Sequence, residues 1–180
     1  MVHQIVRPSG VERETLWVGL AAGVILCAAV VTVTLRAAVP EMVALAAHQV
    51  DSRSGLTPAE QGLYADLLVA AQDIAAAPAV SSVSDLAAEG LPPFVRDASW
   101  RARGAHEWSG WSGEHGEAFY LGQPGDPALA GTLLLRIAGG EGVVWLKPGV
   151  VRPPAHPDAD ALAAAGWKQV VFSFNAGVTR

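Results

Sequence analysis

Two histidines and three carboxylates crowd one short stretch: His106, Glu107, Glu114, His115 and Glu117. Imidazole nitrogen and carboxylate oxygen together suit a divalent cation such as zinc or manganese. A hairpin through the turn-rich SGEHG segment can bring His106 toward Glu117, with His115 at the turn. These five residues are the candidate metal ligands. Their spacing matches no standard signature such as HExxH, and the competing reading is a solvated hairpin with ordinary polar residues. Interleaved with them, Trp108 and Trp111 form a WSGWSG tandem and are candidate anchors for a protein or glycan partner. In a small sheet at least one of the two belongs in the core.

Elsewhere the chemistry thins out. His156, Asp158 and Asp160 make a second polar cluster, with Asp158 better explained as a helix cap or first-turn acid. Arg101 and Arg103 suit either an anion or the solvation of a strand edge. No serine sits in a GxSxG elbow, and Gly139-Gly140 reads as a hairpin rather than a phosphate cradle. No catalytic residue is assigned and the chain is not expected to be an enzyme. A net charge of −5 with no basic stripe argues against a nucleic-acid partner. The single cysteine, Cys27, leaves no disulfide framework and no cysteine-based zinc site.

The elements that must position these groups follow from local patterns. Thr57-Pro58-Ala59-Glu60 predicts a helix start with a capping box. Leu63, Leu67, Ala71 and Ile74 then share one face, and Pro78 marks the limit. Ser82 to Glu89 predicts a short helix closed by Gly90, after which Phe94 and Trp100 pin a loop to the core. AHEWSGW, EAFYLG, GTLLLRIAGG, EGVVWLKPG and WKQVVFSF predict strands, with an Ala-rich helix over Asp158 to Ala165 before the last. The middle pair reads as a hairpin around Gly139 to Gly142, a loop longer than the tightest turns. Helices first and short strands after predict an α+β domain, a long helix packed on an antiparallel sheet of about four or five strands.

Ahead of the domain lies Leu16 to Leu35, a run with no charge and no proline. At about 1.5 Å per residue it matches a hydrocarbon core roughly 30 Å thick. The expected organisation is a cytoplasmic tail over 1–15, a transmembrane helix over 16–36, a juxtamembrane helix and linker over 37–56, and an extracytoplasmic domain over 57–180. Pro40 to Val50 is the juxtamembrane helix, with His48 solvated or interfacial. Arg7 and Arg13 before the span nearly balance Arg36 and Arg53 after it. The short tail and following domain favour the N-terminus inside and the domain in the periplasm. Other readings of the run meet specific obstacles. A signal peptide finds its nearest small-residue site, Ala44-Leu45-Ala46, far downstream. A lipobox finds Leu26 before Cys27. A type IV pilin finds Thr15 at the fifth position after Gly10, with Glu12, Arg13 and Glu14 where that family is apolar.

RPSGVERETLW, GLYADLLVAAQDI, LPPFVRDASWRARGAHEW and AFYLG together resemble an uncharacterised bacterial family of small single-span envelope proteins associated with metal-ion ABC uptake systems. The resemblance covers almost the whole chain. It implies an accessory role in zinc, manganese or iron acquisition at the inner membrane, with a metal ABC transporter or another envelope protein as partner. His106 lies within the shared motifs and His115 does not. The expected function is a non-enzymatic, single-pass accessory or interaction protein with a periplasmic domain. The alternative is a structural subunit of an envelope assembly, pilin-like in architecture without the processing motif.

Overall fold

A computed structural model describes residues 11–37, 45–77 and 79–173. Two compact units result: one holds the N-terminal helix, and the other spans Val43–Ser173.

Helix α1 covers Val11–Ala37, and within it Thr15–Thr34 has a mean hydropathy of 2.5. It is long and apolar enough to cross a membrane, a property that signal sequences share. Its interior hydroxyls are returned to its own backbone. Thr32 Oγ1 donates to the carbonyls of Ala28 and Ala29, and Thr34 Oγ1 to Val30 at 2.8 Å. A bilayer would therefore meet no unsatisfied side-chain donor at either threonine.

The second unit is α+β. A six-stranded mixed sheet runs in the order β1-β6-β5-β4-β3-β2. Its strands are β1 (Gln49–Asp51), β2 (Glu107–Ser112), β3 (Ala118–Gln123), β4 (Thr132–Ala138), β5 (Glu141–Lys147) and β6 (Lys168–Val171). Four pairings are antiparallel, and β1 lies parallel to β6. The sheet is thus larger than the four or five strands expected. The sixth strand comes from the stretch expected as juxtamembrane helix: residues 40–44 lie outside the described residues, and Gln49 and Val50 are extended. His48 is half-buried, its ring stacked toward Trp145 at 6.4 Å.

Helix α2 (Pro58–Ala76) packs on one sheet face with Leu63, Leu67, Ala70, Ala71 and Ile74 buried. The alanines let it approach closely. A Cβ at Gly142 of β5 would stand 2.4 Å from the Ala71 Cβ. Glu60 closes the capping box by accepting from Thr57 N–H at 2.8 Å, and its other oxygen accepts from Gly131 N–H at 3.0 Å. One carboxylate therefore caps α2 and ties it to the entry of β4. Helix α3 (Val83–Ala88) carries a second capping box, Ser82 with Asp85, and buries Leu86.

The opposite face holds a separate cluster: Phe119, Leu121, Leu134 and Trp145 under Leu162 of α4 (Ala159–Ala164) and Trp167. Asp158 caps α4, accepting from Ala161 N–H at 2.9 Å. The β4–β5 loop is tighter than expected. Ala138 pairs with Glu141, so Gly139 and Gly140 form a two-residue turn, with φ of +59° and +82°. Both signs suit a type I′ turn, whose twist matches the strands.

Candidate functional site

The β2–β3 hairpin determines where the candidate ligands stand. Ser112 pairs with Ala118 and Glu107 with Gln123. Gly113 N–H donates to the Glu117 carbonyl at 2.8 Å, leaving Glu114-His115-Gly116 as the loop, with Gly116 at φ +79°. His115 is at the turn, as expected. His106 and Glu117, however, lie at opposite ends of the hairpin, on the order of 20 Å apart at about 3.4 Å per residue. The expected approach of His106 to Glu117 is therefore corrected by the register.

Partners separate the five further. Glu107 is exposed and forms a two-pronged pair with Arg96 at 2.6 and 2.7 Å. Glu117 pairs with Arg136 of β4 on the α4 side of the sheet. Glu114 and His115 are exposed in the loop. Among the described residues, no group of three or more His, Cys, Asp or Glu side chains could hold a metal ion.

His106 is buried, 3% exposed, and its Nε2 lies 2.9 Å from the Gly131 carbonyl. A carbonyl only accepts, so Nε2 carries the proton and Nδ1 keeps its lone pair, without a hydrogen-bond partner. Burial pushes the pKa below its ordinary value of 6.5, against the opposing pull of the Gly131 and Arg103 backbone and the Glu60 charge. The unfolded chain then takes up a proton more readily than the folded one. Stability from this group is complete above about pH 6.5 and is lost as pH falls through 6.5 toward the depressed folded value. Urea midpoints at pH 7.5 and 5.5 should fall with acidification, and His106→Gln should flatten that slope.

Beside it, Arg103 pairs with Asp66 of α2, both half-buried. The pair replaces the anion-binding and edge-solvating readings of Arg103. Burial raises the Asp66 pKa, with the Arg103 charge acting against it. The cavity among Asp66, Trp100, Arg103 and His106 measures about 10 Å³, the scale of one water molecule.

The two tryptophans part company because they are three apart in a strand, and odd separations face opposite sides. Trp108 joins the α2-side core, edge-on to Phe94 at 5.2 Å and against Gly122. Trp111 stacks on Phe119 at 5.4 Å on the other face, and is half-buried. The Trp111 end of that face floors an open groove of about 540 Å³. Glu114, His115, His156 and Asp158 line it, uniting two clusters that are remote in sequence. Their meeting depends on the path of the proline-rich connection before α4, for which no local pattern speaks. The salt-bridge partners Asp66 and Arg136 were likewise invisible as site residues, since each lies in an apolar-patterned element.

No curated protein and no solved structure matches the chain. A family model does match, over residues 50–175, which takes in the whole sheet save its first residue together with α2, α3, α4 and the groove. The chain belongs to DUF6162, a family of unknown function.

Proposed function

We propose that this protein is a membrane-anchored accessory module that works by binding another protein rather than by catalysis. The observation that carries the reading is the half-exposed Trp111 on the floor of an open groove, in a chain that also has a membrane-length apolar helix. A large aromatic ring on a wide, shallow surface contributes to binding energy, whereas catalysis calls for convergent groups in a deep site. In this reading α1 is an uncleaved anchor in the inner membrane. The N-terminus is cytoplasmic, the domain stands in the periplasm, and the groove meets an envelope partner.

The finer context, service to a metal-ion uptake system of a bacterium, rests on the sequence resemblance alone. His106, Glu107 and Glu117 stand too far apart to hold one ion together, so within that context the proposed role is contact with a transporter. Replacing Trp111 by a photo-crosslinking amino acid in the full chain, in native membranes, tests the proposal. One discrete adduct with a different protein is the expected result. A ladder of self-adducts would instead support a structural subunit, and no adduct with another protein would overturn the binding role.

A further inference from the structure

We propose that the outer edge of β2 takes up an extended, uncharged segment of the partner protein as a seventh strand. This deepens the interaction reading above and rests on it.

The ladder parity supplies the donors and acceptors. The Gly113–Glu117 bond marks odd-numbered β2 residues as those bonded to β3. In an antiparallel pair, the intervening residues then direct their N–H and C=O groups away from the sheet. His106 confirms this parity, because its outward carbonyl is capped by the Trp100 indole N–H at 3.0 Å. The edge is thus covered where Trp100 and Arg96 cross its start. Beyond that point Trp108, Gly110 and Ser112 present outward backbone groups at two-residue intervals. Only another extended backbone matches that repeat.

A groove of about 370 Å³ lies along the same stretch, between Ser109–Ser112 and the Val80–Ser84 segment. Tyr120 builds it. Its ring passes beneath Gly110, where a Cβ would stand 3.1 Å from the ring, and its hydroxyl holds the far wall by donating to the Ser81 carbonyl at 2.7 Å. Among the described residues, no charged side chain lines the groove, which selects an uncharged occupant with small or β-branched residues at alternate positions. Edge strands in stable monomers usually carry lysine, proline or a bulge as protection. Ser109 to Ser112 carries none of these. The Val80–Ser84 wall stands beside this stretch of β2, which favours a single peptide strand over the β2 edge of a second copy.

The test uses the full chain in nanodiscs and a phage-displayed library of linear dodecapeptides. Selection should enrich low-charge, strand-forming sequences, and a selected peptide should slow amide exchange at Trp108, Gly110 and Ser112. Ser112→Pro removes an outward N–H without breaking a bond to β3. It should weaken the peptide about tenfold, on the order of one backbone hydrogen bond. Should that variant fail to fold, the exchange measurement on the unaltered chain still decides. Protection elsewhere, or equal affinity for a folded Ser112→Pro, would overturn edge pairing and leave the interaction role standing. Failure to enrich any peptide would overturn it too, as would edge amides already protected in a peptide-free dimer.

Discussion

Glu60→Ala will destabilise the domain by about 3 kcal/mol in urea or thermal unfolding. That is the sum of a lost helix cap, about 1 kcal/mol, and a stranded buried N–H, about 2 kcal/mol. Both oxygens of this carboxylate are committed, one to Thr57 N–H and one to Gly131 N–H. The residue is 8% exposed, so water cannot replace it. Glu60→Gln separates the two contributions. Its carbonyl oxygen can still accept from Gly131, while its amide nitrogen cannot accept from Thr57, so it should recover more than half of the loss. Equal damage from both variants would mean that the negative charge, rather than the bond to β4, is what matters.

The second large effect concerns α1. Val24→Arg puts a charge near the middle of the apolar run, at a cost to insertion of about 3 kcal/mol. With Leu26→Arg as well, the cost approaches about 6 kcal/mol, enough to shift the chain from the membrane pellet to the soluble fraction. The unaltered chain should stay in the pellet after carbonate extraction, at full-length mass. A shortened product released by carbonate would identify α1 as a signal sequence and remove the anchor from the proposed function.

Local rules made the helices legible. The box Thr57-Glu60, the cap Asp158 and the stripe from Leu63 to Ile74 each involve residues within a few turns of one another. β1 was illegible because Gln49-Val50-Asp51 is only three residues long, too short for its alternation to stand out. It becomes a strand through β6, and Ser54 and the Ser173 backbone hold Asp51 there, keeping its carboxyl down at about 2. The candidate site was half legible. Period-two alternation is enough to send Trp108 and Trp111 to opposite faces. The register that parts His106 from Glu117 turns on which glycine of SGEHG takes the left-handed position, and two glycines compete for it. The encounter of His115 with His156 depends on tertiary path alone.

The parallel pairing of β1 with β6 also sets a clock. Gln49 meets Gln169, so the first strand of the domain to leave the ribosome must wait for the last. At about 5–20 residues per second, the intervening chain takes on the order of ten seconds to synthesise. During that interval the β1 segment has no strand to join, and the flank of β5 that β6 will occupy lies open. Closure of the sheet therefore waits until β6 has been made and has reached the same side of any membrane as β1.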